Sequence, residues 1–113
     1  METTKTQRAS DELEILRLLA TLAQAIDDRD EARYRACLAD EVMGASPSGD
    51  PNSWLAVPSH EYASRSIGAV SAMTCTHHKL RNPVVDLMGD RALVKADVVV
   101  DMEASGSEGH PNI

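Results

Sequence analysis

Two side chains in this sequence of 113 residues could move protons: Asp27 and His78. At roughly 100° per residue, Asp27 lies about 80° from the centre of the apolar stripe of the first predicted helix, near Leu16, Ala20 and Ala23. Asp28 falls near the polar pole instead. A carboxylate at the border of an apolar pocket is partly desolvated, which raises its pKa and suits it to proton transfer. The alternative is a helix-end carboxylate in a solvated turn, one of three Asp in the run Asp27-Asp28-Arg29-Asp30. His78 lies in a predicted strand, sharing a face with Leu80, Asn82 and Val84 while His77 and Lys79 point the other way. Imidazole shuttles a proton near neutral pH, and a nearby carboxylate can fix its tautomer and orientation. It reads also as a hydrogen-bonded strand histidine with no chemical task.

Other residues are weaker candidates. Adjacent His77 and His78 diverge in a strand, and no third ligand stands at a recognised spacing, so no metal is expected. Tyr34, Ser46, Trp54 and Tyr62 are polar or aromatic groups that could line a substrate pocket, or else belong to core or rim. Lys95, Asp97 and Asp101 alternate along one face of a strand, a pattern of solvated or dimer-facing surfaces. If the sheet curls so that this face lines the pocket, Asp97 becomes an acid/base candidate. Phosphate loop, dinucleotide fingerprint and nucleophile elbow are all missing from the sequence, and no cofactor is expected.

The elements that must position Asp27 and His78 can be read along the chain. Ser10 is a suitable N-cap, followed by Asp11 and Glu12 in the first helical turn. Ile15, Leu16, Leu19, Leu22, Ala23 and Ile26 then fall on one side of a helix that ends at the Asp27–Asp30 run. Asp30 can cap a short second helix through about Ala39, in which Tyr34 and Leu38 pair at i,i+4 with Cys37 beside them. Val42 and Met43 suggest a short strand, and SPSGDPNS (Ser46 to Ser53) a loop. Pro58 and Ser59 open a third helix of about a dozen residues, weakened by Gly68. A strand from about Cys75 to Met88, the turn Gly89-Asp90 and a strand from Arg91 to about Ala104 make a long hairpin. In its second strand Ala92, Val94, Ala96, Val98, Val100 and Met102 share the apolar face. Pro83 interrupts the first strand, so a bulge or an edge position is expected there. The tail SGSEGHPNI is turn-like.

Composition bounds the function classes. The length is that of a single domain spanning 1–113, with an ordered core of about residues 10–104. Apolar residues make up 42% of the chain, with no Phe, one Trp and two Tyr, so the core must be aliphatic. The formal net charge is −7, from 18 acidic against 11 basic residues. Without a basic cluster to neutralise phosphates, neither nucleic acid nor an anionic membrane surface is an expected partner. The apolar runs are shorter than the roughly 20 residues needed to span a bilayer, and the N-terminus lacks a secretory h-region, so a cytoplasmic location is expected. Cys37 and Cys75 match no metal or redox spacing and read as partly buried thiols in a reducing compartment.

The order helix, short helix, loop, helix, long hairpin resembles the nuclear-transport-factor-2-like superfamily. The segment LAQAIDDRDEARYRACLADEV is similar to that superfamily's opening, and THHKLRNPVVDLMGDRALVKADV to its hairpin with a His–x–x–x–Asn pattern. SnoaL-like proteins and scytalone dehydratase are the nearest by pattern, over roughly residues 10–104. The resemblance implies an α+β fold, N-terminal helices packed on a curved antiparallel sheet in a cone-shaped, cystatin-like roll. It implies a pocket aspartate at Asp27, a catalytic histidine at His78 and a partner Asn82, hence an Asp27–His78 dyad. Where scytalone dehydratase-like proteins have pocket tyrosines, this sequence has Ile26 and, near the second, Ser46. Members usually add strands after this hairpin, so an uncovered edge is expected to pair in a homodimer.

These readings lead to an enzyme acting on a small apolar or polycyclic substrate by cofactor-free acid/base chemistry: cyclisation, isomerisation, dehydration or epoxide opening. Two alternatives of other classes remain open on the sequence. One is a non-catalytic ligand-binding or dimerising module of the same fold. The other is a structural subunit like the small β-subunit of aromatic-ring dioxygenases.

Overall fold

A computed structural model describes residues 4–44 and 55–104. They form α1 (Lys5–Asp27), α2 (Glu31–Ala36), β1 (Glu41–Gly44), β2 (Leu55–Pro58), α3 (Ser59–Val70), β3 (Met73–Met88) and β4 (Arg91–Ala104). The predicted order holds, with one added strand, β2. The loop expected at Ser46 to Ser53 and the C-terminal tail lie outside the described residues.

The first helix is longer than its sequence suggested. Thr4, not Ser10, is the N-cap: its hydroxyl accepts the Gln7 N–H at 3.0 Å, and the Gln7 side chain reaches forward to Asp11 at 3.0 Å. Lys5, Gln7, Arg8 and Ala9 are all good helix formers, so the helix propagates back past Ser10 until a competent cap is met. The second helix is capped as expected, with the Asp30 carboxylate accepting from Arg33 N–H at 3.1 Å, but it closes at Ala36 rather than near Ala39. Pro58 gives α3 no side-chain cap. Instead the first N–H, that of Ser59, donates to the carbonyl of Asp40 at 2.8 Å, tying the helix start to the residue that precedes β1.

Packing centres on three residues. Ala25 and Ala63 are 0% exposed and flank the buried ring of Tyr34, with Leu22, Ile26, Leu38, Tyr62 and Ile67 around them. Two alanines let α1 and α3 come close enough to sandwich one phenol, which is how a chain without Phe builds this core. Further along, α1 lies on β3.

The strands form two antiparallel ladders, β1 with β2 and β3 with β4. The long hairpin turns at Gly89, whose φ of 63° is the left-handed conformation that glycine adopts without a Cβ penalty. Opposed residues share a face, so Thr76, His78 and Leu80 lie with Met102, Val100 and Val98. That parity does not continue to the turn. Between the Arg81–Asp97 and Val84–Lys95 pairs, β3 spends three steps to the two of β4, and Asn82 sits at φ 51°. This is a bulge beside Pro83, and it inverts every later position of β3. Val85 and Leu87, not Val84, therefore continue the face of His78. The expected grouping of His78 with Asn82 and Val84 is corrected on this point.

Candidate active site

The site begins where α1 stops. Asp28 is the C-cap, Arg29 follows at φ 58°, and two backbone bonds close the turn: Arg29 N–H to Ile26 O at 3.2 Å and Asp30 N–H to Ala25 O at 2.9 Å. That pair of bonds is the Schellman arrangement, in which glycine usually occupies the left-handed position. By ending the helix there, the turn holds Asp27 on its last residue, facing β3.

Asp27 and His78 meet. Oδ1 of Asp27 lies 2.6 Å from Nδ1 of His78, while Oδ2 accepts the backbone N–H of His78 at 2.8 Å. The hydroxyl of Thr76 donates to Oδ1 at 3.0 Å. The side chains of His78 and Asp27 retain only 19% and 14% of their exposure. Burial pushes the Asp27 pKa up, but the hydrogen bonds from the His78 ring, the His78 backbone and Thr76 together outweigh it, and the net displacement is downward. The sequence reading of a desolvated, proton-hungry carboxylate is thereby corrected. Asp27 is an ionised acceptor.

An ionised carboxylate can only accept, so His78 must carry its proton on Nδ1. Its other nitrogen, Nε2, has no partner among the described residues, and His78 lines a cleft of about 240 Å³ with Leu19, Leu22, Ala23, Ile26, Tyr34, Leu80 and Val98. One imidazole ring thus borders an otherwise almost wholly aliphatic and aromatic wall. Asp27 is not part of that wall and is bonded to the ring at Nδ1.

The remaining candidates separate. Tyr34 borders the cleft, its hydroxyl bonded to Ser66 Oγ at 3.2 Å, and burial holds that phenol above its usual pKa. Tyr62 lies elsewhere, in a second hollow with Gly44, Leu55, Val57, Arg65, Ser66 and Ala69. Asn82 is carried by the bulge to the opposite face of the hairpin, 3.5 Å from Asp97, and does not reach the His78 ring. Asp97 stays on the exposed face, and Asp101 is paired with Lys79 there. Ser46 and Trp54 lie outside the described residues. Among the described residues no group of three potential ligands is placed to hold a metal ion, and no helix is long and apolar enough to cross a membrane. Cys37 and Cys75 are both free thiols.

Two side chains bonded into the site escaped the sequence reading: Thr76 and Arg29. Thr76 could have been found from the period of two that places it beside His78. Arg29 carried a weaker signal, a lone cation inside a run of aspartates.

The family model for the SnoaL-like domain matches residues 7–111. The chain belongs to the SnoaL-like family. Its fold is the α+β cone of the nuclear-transport-factor-2-like group. The Kfla4162 protein from Kribbella flavida superposes with a TM-score of 0.79 at 22% identity, covering 93% of this chain and 74% of the other. The putative scytalone dehydratase from Novosphingobium aromaticivorans does so with a TM-score of 0.74 at 17% identity, covering 96% and 70%. No curated protein is significantly similar in sequence. At these identities the two structures share the SnoaL-like fold with this chain, and its chemistry has to be argued from its own residues.

Proposed function

We propose that this SnoaL-like protein is a small-molecule lyase or isomerase of the dehydratase or cyclase type, in which His78 Nε2 is the proton-transferring atom. The observation that carries the reading is the pairing of His78 Nδ1 with a carboxylate, at 2.6 Å, while the ring borders an apolar cleft. Asp27 orients the ring and stabilises the imidazolium once it forms. This differs from a dyad in which the carboxylate itself takes the substrate proton, because all three of its bonds are already committed to donors within the protein.

The chemistry that follows is simple. For a β-hydroxy carbonyl compound, Nε2 removes the proton α to the carbonyl. The resulting imidazolium then protonates the departing hydroxyl, which leaves as water as the C=C bond forms. For an isomerisation, the same proton returns to a different carbon. Both schemes use a single group as base and then acid, which an imidazole does well near neutral pH. A cleft of about 240 Å³ is slightly below the range of roughly 300–1,000 Å³ typical of ligand sites. It suits one or two fused rings better than a tetracyclic substrate. The apolar wall holds the ring system, and the His78 imidazole is presented to the reacting carbon.

Deuterium exchange tests the reading even while the natural substrate is unidentified. A panel of cyclic ketones and β-hydroxy ketones of one or two rings is incubated in D₂O with the protein, and label uptake and water loss are followed by mass spectrometry. Exchange above background with at least one compound, lowered about 10²-fold or more in His78→Asn, is the expected result. Equal exchange by the two proteins would remove His78 from the chemistry. A compound that binds the cleft but exchanges with neither protein would favour a binding module.

A further inference from the structure

Behind the Asp27–His78 pair stands a third layer, and it contains a residue held by both its backbone and its side chain, Arg29. Arg29 occupies the left-handed position of the Schellman turn, where glycine is the usual residue and a side chain costs about 1 kcal/mol. Its guanidinium is spent inside the protein. Nη1 donates to Ile26 O at 2.9 Å and to Thr76 Oγ1 at 2.7 Å, and Nη2 donates to Val70 O at 2.8 Å. Longer contacts reach Asp27 O at 3.3 Å and Met73 O at 3.4 Å. One side chain therefore joins the end of α1, the end of α3 and the start of β3, the segments that bring Asp27 to His78.

The polarity of these bonds matters more than their number. A guanidinium has no acceptor, so Thr76 Oγ1 must accept from Arg29. Its own hydrogen is then free for one partner only, and the partner within reach is Asp27 Oδ1 at 3.0 Å. We infer that Arg29 and Thr76 are positioning residues that set the direction of the hydrogen-bond chain ending at His78. With its proton directed at Oδ1, Thr76 keeps Asp27 ionised and purely accepting, and the His78 proton is held on Nδ1. A threonine hydroxyl free to rotate would be able to accept rather than donate. The bond from Arg29 occupies one of the two acceptor positions of that hydroxyl and holds the oxygen where its hydrogen meets Asp27, which gives a physical reason for an arginine in a glycine position.

The inference rests on the proposed role of His78 and deepens it, but its test does not require turnover. Nitrogen-15 spectra of the His78 ring report which nitrogen is protonated, and carboxyl carbon-13 spectra report the titration of Asp27. Unsubstituted protein is compared with Thr76→Val, which keeps the shape and removes the hydroxyl, with Thr76→Ser, which restores it, and with Arg29→Asn, which tolerates the left-handed backbone. In unsubstituted protein the neutral ring is expected to carry its proton on Nδ1. In Thr76→Val the Asp27 pKa should rise and the Nε2–H tautomer should gain population, and both should return in Thr76→Ser. Arg29→Asn should follow Thr76→Val in direction if it folds; Thr76→Val alone decides the matter if it does not. A ring protonated on Nε2 in unsubstituted protein would overturn the reading of His78 as well. An Nδ1–H ring that Thr76→Val leaves unchanged, along with the Asp27 titration, would overturn only the inference about Arg29 and Thr76.

Discussion

Oδ1 of Asp27 and Nδ1 of His78 stand 2.6 Å apart although 51 residues separate them in the chain. A second bond, from the His78 backbone N–H to Oδ2 at 2.8 Å, locks the carboxylate against the strand as well as against the ring. The pair is therefore held through both backbone and side chain, and Asp27→Asn should affect it strongly. An amide offers one acceptor oxygen where three donors now converge, and its NH₂ would face a donor. Proton exchange with any compound turned over by unsubstituted protein should fall about 10²-fold or more, with little change in the concentration for half-saturation, because the cleft wall is untouched. A loss expressed wholly as weaker binding would contradict the orienting role.

The lowered pKa of Asp27 also fixes the sign of a pH effect on stability. A carboxylate whose folded-state pKa lies below its unfolded value contributes stability that is fully present above the unfolded pKa. That contribution is lost as pH falls through the folded value. Unfolding midpoints in urea should therefore decline as pH drops below about 3.9, the ordinary aspartate value. Asp27→Asn should be less stable than unsubstituted protein near neutral pH and show a shallower decline through that acid window. Parallel curves for the two proteins would mean that the pair contributes nothing to folding.

Much of this arrangement was legible in the sequence, and the gaps have physical causes. The apolar stripe of α1 made Asp27 a candidate and the alternation of β3 put His78 on a face with Leu80, while the resemblance to the nuclear-transport-factor-2-like superfamily paired the two. Asn82 was misassigned because a period of two was carried through a bulge, even though Pro83 had marked the place. One inserted residue turned Asn82 and all that follows to the other face. Burial at Asp27 was read correctly, but its consequence was not. Desolvation is visible in an apolar pattern, whereas the donors that reverse it come from Thr76 and His78, which no local pattern connects to α1. The strand β2 escaped because four residues beside a Pro- and Gly-rich stretch carry too little periodicity to register.

The cleft itself can be closed without disturbing the pair. Ala23 lies on its wall between Leu19 and Ile26, so Ala23→Leu adds about three methyl-sized groups of volume to a space of about 240 Å³. Binding of cleft ligands, read by calorimetry or half-saturation, should weaken about tenfold or more. The nitrogen-15 signature of His78 should not move, since the substitution removes none of the donors or acceptors that join Asp27, Thr76 and His78. A shifted His78 tautomer would show that the wall and the pair are mechanically coupled.

At the core, Ala25 and Ala63 are both 0% exposed against the ring of Tyr34. Replacing either with Leu would force the helices apart, at a cost of about 1–3 kcal/mol. Tyr34→Phe is milder. It removes the hydroxyl bonded to Ser66 at 3.2 Å and should cost about 1 kcal/mol. Urea unfolding separates the cases, and a Leu variant as stable as unsubstituted protein would imply a looser core than the packing describes.

The bulge offers the most direct test of register. Val85 and Leu87 face α1 only because the extra residue at Asn82 inverts the strand, and both border hollows shared with α1 side chains such as Arg8 and Ile15. A chain lacking Asn82 would restore simple alternation and turn Val84 and Asp86 toward the helix in their place. Turning Val85 and Leu87 away from α1 should lower stability by about 2 kcal/mol or more. The comparison that isolates register is Asn82→Gly, which keeps the bulge, accepts φ 51° without strain and should change stability by less than about 1 kcal/mol. Thermal unfolding of the two variants should therefore differ clearly, the deletion falling well below the glycine variant. Equal midpoints would show that the far half of the hairpin does not depend on its contact with α1, and that the bulge sets only the local direction of Asn82.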